Sequence, residues 1–198
     1  LLGNTVACVD GEVRIYAQRN RVAQFMKLPA PKRNKHQLLS ALASVGWWRN
    51  SIPGFGFLTA PLFELTGPKQ RISDWGSEHD KAWEGIKTAI AEATCRYTAN
   101  VNYQKVVITD ASQGDGQVPG GLGGFVAQIH PRTGKLQPLG FMARQLQGAE
   151  LSYCPRRLER RALIATLHKF SKMLMGQRLA ILARTDNKNL TSLKVTDK

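Results

Sequence analysis

Three carboxylates stand where local structure gives them little use. Asp110 closes the strand-like run 103–110, YQKVVITD. Glu159 falls in the early turns of a helical stretch, inside RRLERR. Asp186 closes a second strand-like run, 178–186. Carboxylates gathered at one place repel one another and bind protons more tightly, unless a counter-charge is supplied. A divalent cation supplies it, and an oxygen-only donor set suits Mg2+ or Mn2+. Two such ions about 4 Å apart activate a water and stabilise the leaving oxygen in phosphodiester cleavage. Each acid also has a plainer use. Asp110 in TDAS can form a turn, Glu159 can sit solvated near the positive end of a helix dipole, and Asp186 can cap a following helix. Spacing alone leaves both uses open. Asp115, in a glycine-rich stretch, reads as a turn residue.

The elements that would position these acids fall in the second half of the chain. Runs 103–110, 123–130 and 136–145 read as strands, with PRTGK as a hairpin loop between the second and third. A helix over roughly 155–175 carries Leu158, Ala162, Leu163, Leu167, Phe170 and Leu174 on one face. The run 178–186 is a fourth strand. The first half reads differently. Residues 1–15 form a hairpin around the turn dipeptide Asp10-Gly11. A short helix over 18–28, with Val22, Phe25 and Met26 inward, is stopped by PAPKR. Asn34 caps a second helix bearing Leu38, Leu39, Leu42, Val45 and Trp48. A third helical piece ends at Gly67. Ser77 caps a fourth, with Ala82, Trp83, Ile86, Ile90 and Ala93 as its stripe. The pattern change near residue 100 predicts an α+β chain in two parts, 1–98 mainly helical and 99–198 a mixed sheet with a helix.

Bulk composition narrows the partners. The chain has 198 residues, enough for one large or two small cores, and 42% hydrophobic with 21% charged residues fits a globular protein. A formal net charge of +14 points to nucleic acid first, with an anionic membrane surface or ribosomal burial as the other options. Three widely spaced cysteines with no CxxC support neither a disulfide framework nor a zinc site, so a reducing, intracellular compartment is expected. No signal peptide is visible, and no apolar run approaches the ~20 residues of a membrane span. The chain opens LLGNTVACV, with no Met and already in strand-like sequence, and reads as a piece of something longer.

The order of these segments resembles the Pol polyprotein of gypsy-type LTR retrotransposons and retroviruses, from the end of the reverse transcriptase palm into ribonuclease H. LLGNTV resembles a palm strand. The stretch KLPAPKRNKHQLLSALASVGWWRNSIPGFGFLTAPLFELTG, followed by SDWGSEHDKAWEGIKTAIAEA, is similar to the family's thumb and connection. TDAS…GLGGFVAQ, YCPRRLERRALIATLHKFSKMLMG and RTDNKNLTSL resemble its ribonuclease H domain. The chain departs from the pattern in QGDGQVPG, residues 113–120, which lengthens the loop after Asp110. It departs also at Arg160 and Arg161, which stand at normally apolar positions, and at Arg157, at an often acidic one.

The resemblance implies a helical thumb and connection over 1–98 and an incomplete ribonuclease H-like domain over 99–198. It implies catalytic and metal-binding carboxylates at Asp110, Glu159 and Asp186, holding two Mg2+ for which Mn2+ can substitute. The expected activity is hydrolysis of the RNA strand of an RNA–DNA hybrid. Expected neighbours in the same polyprotein are an upstream palm and fingers, and an integrase. Expected phosphate contacts are Lys32, Arg33, Lys35, Arg49, Arg157, Arg160 and Arg161. Trp47 and Trp48 either stack on bases or pack in the core. A second possibility is an inactive or domesticated relic that binds hybrid or RNA without cutting it.

Overall fold

The computed structural model describes residues 4–115 and 119–185. The chain divides into two compact units at Thr98/Ala99.

The first unit opens on a hairpin, β1 (Asn4–Val9) and β2 (Glu12–Ala17). Asp10 and Gly11 both take positive φ, 54° and 76°, as a two-residue hairpin turn of matching twist requires. A short strand, β3 (Arg96–Tyr97), pairs antiparallel with β2 and completes a sheet in the order β1-β2-β3. Between β2 and β3 run four helices: α1 (Arg19–Met26), α2 (Lys35–Val45), α3 (Phe55–Glu64) and α4 (Ser77–Ala91). Their inward stripes make one core of Phe25, Leu38, Leu42, Val45, Trp48, Leu62, Trp83, Ile86 and Ile90. Phe25 anchors it, with its ring centroid 5.8 Å from Trp48 and 5.2 Å from Trp83.

Helical period sorts the apolar residues more strictly than their clustering in sequence suggests. Leu39 and Met26 were expected inward, yet stand 49% and 41% exposed, one position off the buried stripe. Asn34 caps α2 as expected, accepting the Gln37 N–H at 2.8 Å. Ser77 is not the cap of α4. Gly76 takes that place, and the buried His79 accepts its N–H on Nδ1 at 2.9 Å.

The second unit is a four-stranded mixed sheet in the order β6-β5-β4-β7. β4 (Lys105–Gly114), β5 (Pro119–Ile129) and β6 (Leu136–Gln145) form an antiparallel meander, and β7 (Leu182–Arg184) adds parallel to β4. A long helix, α5 (Pro155–Lys169), begins with proline at a first-turn position, where no intrahelical N–H is needed. It packs on β4 and β5. The helix expected to run to 175 breaks at Phe170 and resumes as one turn, α6 (Ser171–Leu174).

Two sequence expectations are corrected here. Asp110 does not end its strand: the ladder runs on through Asp110↔Gly123, Ser112↔Gly121 and Gly114↔Pro119. Nor is 113–120 wholly a loop, since Gln113, Gly114, Pro119 and Gly120 belong to β4 and β5. The glycine run has low intrinsic strand preference, but pairing on both sides, with β4 and with β6, overrides it. Glycine inside a strand also marks close approach of another backbone or side chain, which is what α5 makes of Gly124.

Candidate active site and the basic surface

Asp110 sits at the centre of β4, with its carboxylate exposed. Glu159 sits in the second turn of α5, only 6% exposed, on the helix face turned to the sheet with Leu158, Ala162 and Thr166. The two converge on one donor. The Ala111 backbone N–H donates to Asp110 Oδ1 at 2.9 Å and to Glu159 Oε1 at 3.2 Å. A strand residue and a helix residue 49 positions apart in sequence thus place two carboxylates one hydrogen-bond step from each other.

That convergence needs α5 to lie close on the sheet, and glycines of β5 and β6 allow it. A carbon built on Gly124 would come within 2.8 Å of Thr166 Cγ2, and one on Gly140 within 2.6 Å of the Phe170 ring. The donor set is hard oxygen, which fits Mg2+ or Mn2+ and does not fit a soft metal. Among the described residues no group of three metal-ligating side chains gathers. The third expected acid, Asp186, lies outside the described residues. β7 brings the chain to Arg184, level with Ile108 in the parallel ladder.

An ion-pair cluster that the sequence reading did not single out braces the start of α5. Arg144, near the end of β6, holds Glu150 with two hydrogen bonds of 2.7 Å. Arg161 Nε donates to the same carboxylate at 2.9 Å, and so does the Gln147 N–H at 3.2 Å. The Arg144 hydrogen bonds, with help from Arg161 and against the pull of burial, lower the Glu150 carboxyl to about 2. The spacing of Gln147 and Glu150 was the available signal, because an acid three residues after a cap position commonly returns to the cap N–H.

The expected phosphate contacts fall into two groups. Lys32 is paired with Asp80 at 2.7 Å, and Asp80 also accepts Trp75 Nε1–H at 3.0 Å. Lys35 donates to the Gly67 carbonyl at 2.6 Å. Both therefore hold the first unit together. Arg33, Arg49, Arg157, Arg160 and Arg161 are exposed. Trp48 is core at 4% exposure, while Trp47 is 51% exposed. Among the described residues no helix is long and apolar enough to cross a membrane.

Comparison with known proteins fits this geometry. Residues 75–181 match the family model described as the RNase H-like domain found in reverse transcriptase. The Gag-Pol polyprotein of feline leukemia virus is 29% identical over 163 residues, and that of woolly monkey sarcoma virus 28% over 165. Each alignment covers 82% of this chain and 9% of the relative, so the chain spans under a tenth of their length. Among solved structures, the foamy viral protease-reverse transcriptase in complex with RNA/DNA hybrid superposes with a TM-score of 0.72 at 19% identity, over 92% of this chain and 24% of that one. The same enzyme in complex with dsDNA gives 0.73 at 19% identity, over 96% and 39%. These structures share the fold. The match over more than half of the sequence, on an α+β chain whose mixed sheet and covering helix α5 bring Asp110 and Glu159 together, places this chain in the family of RNase H-like domains found in reverse transcriptases.

Proposed function

We propose that this chain is the segment of a reverse transcriptase polyprotein that holds an RNA–DNA hybrid and cuts its RNA strand. The observation that carries this reading is the convergence of Asp110 and Glu159 on the Ala111 N–H. Asp110, exposed on β4, would hold a divalent cation at the surface that a substrate phosphate can reach. Glu159, fixed on α5, holds the second carboxylate at a set distance from it. Asp186, two residues past Arg184, is the third proposed ligand. Divalent Mg2+, or Mn2+ in its place, supplies a lowered pKa for an attacking water and charge stabilisation for the leaving oxygen. Arg33 and Arg49, exposed on the helical unit, are proposed to meet the hybrid backbone, with Lys35, bonded to a neutral carbonyl, adding positive field and Lys32 adding less because Asp80 offsets its charge. Such contacts give affinity without sequence readout and weaken steeply with salt. In the whole polyprotein, acting inside the cell, the segment would serve RNA-directed DNA synthesis beside an upstream palm and fingers, with an integrase as a further neighbour.

The depth of Glu159, at 6% exposure, favours a second reading, in which the chain binds hybrid and does not cut it. One experiment separates them. The 198-residue chain is incubated with labelled RNA–DNA hybrid in Mg2+, in Mn2+ and in EDTA, beside Asp110→Asn. Metal-dependent cleavage lost in the variant supports the nuclease. Hybrid binding without cleavage in either metal overturns it in favour of the binding chain.

A further inference from the structure

The outer face of α5 carries positive charge that the carboxylate pair does not use. Tyr153, Arg157, Arg160, Arg161 and Ile164 line one recess of about 370 Å3. Spacings of three, four and seven residues place Arg157, Arg160, Arg161 and Ile164 on one side of the helix, with Tyr153 just before its start. Glu159, Leu158, Ala162 and Thr166 occupy the other side, against the sheet. The arginines next to Glu159 in sequence therefore point away from it in space.

Two of the three guanidiniums are held before any ligand arrives. Arg157 lies over the Tyr153 ring, 3.7 Å from its centroid, and the Tyr153 carbonyl accepts Gln113 Nε2–H at 2.7 Å. Arg161 spends only Nε on Glu150, whose carboxylate is itself locked by Arg144. The remaining guanidinium nitrogens of Arg161, on a half-exposed side chain, are left to the recess. No acidic residue lines it. Planar, pre-positioned guanidiniums grip phosphate oxygens in pairs, and pre-positioning reduces the entropy lost on binding.

We propose that this recess binds backbone phosphates of a nucleic acid, on the side of α5 opposite the carboxylate pair, and so takes phosphates other than the one at Asp110. A peptide partner would want an apolar pocket for an anchoring side chain, and Ile164 alone does not make one. The inference rests on the hybrid-binding half of the reading above and not on cleavage.

The test is the salt dependence of binding. The wild-type chain and an Arg157→Gln/Arg160→Gln variant are titrated onto labelled hybrid in EDTA over a series of salt concentrations. Both arginines are exposed and neither is paired with an acid among the described residues, so the fold is not at stake. The variant is expected to lose about tenfold or more in affinity, with a salt slope shallower by about 2, one for each lost phosphate contact. Equal affinity and slope in the two proteins would overturn the proposal. So would a wild-type chain that ignores hybrid, or one that binds poly-glutamate in its place through the same arginines. Wild-type binding with the expected slope change but no cleavage in Mg2+ would remove the nuclease reading and leave this inference standing.

Discussion

Thr166 lies directly on Gly124, close enough that the glycine cannot accept a side chain without moving the helix. A carbon there would meet Thr166 Cγ2 at 2.8 Å and the hydroxyl closer still. The hydroxyl is already committed to the Ala162 carbonyl at 2.8 Å, and Thr166 is fully buried. Gly124→Ala is therefore expected to destabilise the second unit by about 1–3 kcal/mol, the usual cost of overpacking. Thr166→Ala in the same chain removes the two nearest atoms but leaves Cβ at 3.0 Å, so it should restore most of that loss and not all. Urea unfolding of the wild type and the two variants checks this. Wild-type stability in Gly124→Ala alone would mean that α5 does not sit where described.

The Glu150 cluster makes a pH prediction. Arg144 holds the folded carboxyl at about 2, against an ordinary 4.5. A carboxyl lowered on folding contributes stability that is fully present above its unfolded value and is lost as pH falls toward the folded one. Glu150→Gln should thus cost roughly 1.5–3 kcal/mol near neutrality, the range for hydrogen bonds to charged groups. The gap between wild type and variant should narrow as pH falls from 4.5 toward about 2. Urea midpoints at neutral and acid pH give the answer, and a gap that stays constant would place the effect elsewhere.

How much of this was legible in sequence depends on which force decided each element. The core of the first unit was readable, because Leu38, Leu42, Val45 and the Trp83–Ile86–Ile90 stripe are local periodicity. The middle position of Asp110 was not readable, because the continuation of β4 through Ala111, Ser112 and Gln113 is decided by pairing with β5 and not by its own residues. The convergence of Asp110 and Glu159 was expected from resemblance alone, since no local rule brings residues so far apart in sequence onto one N–H. The split between the two faces of α5 was present in the spacing of Arg157, Arg160 and Arg161 against Glu159. It was hidden by reading these neighbours in sequence as neighbours in space.

The β4–β5 ladder has Gly114↔Pro119 as its last described pair. Removing residues 113–120 whole would delete the Gly114↔Pro119 pair, the Gln113 bond to the Tyr153 carbonyl and the Gly120 carbonyl that accepts the Leu146 N–H at 3.0 Å. That deletion is expected to destabilise the unit by at least 2 kcal/mol, on the order of two lost hydrogen bonds with their partners unsatisfied. Replacing only 116–118 with Gly-Ser-Gly, at unchanged length, should change stability by less than about 1 kcal/mol, since it removes neither that pair nor those hydrogen bonds. Equal unfolding midpoints for the two variants would contradict the pairing.

Asp110 and Glu159 should separate fold from chemistry. In Glu159→Gln the side-chain carbonyl can still accept the Ala111 N–H, so the packing of α5 is kept while the charge is lost. In Asp110→Asn the changed group is exposed, and stability should shift by no more than about 0.5 kcal/mol. If these carboxylates hold metal, each variant should lower Mg2+-dependent hybrid cleavage on the order of 100-fold or more, because even outer partners of metal ligands cost about 10–100-fold. The melting temperature supplies a readout that does not depend on turnover. Mg2+ should raise that of the wild type, by binding the folded state, and leave both variants unmoved. EDTA should return the wild type to the variants' value. A wild type insensitive to Mg2+, with cleavage the same in all three proteins, would take Asp110 and Glu159 out of the site.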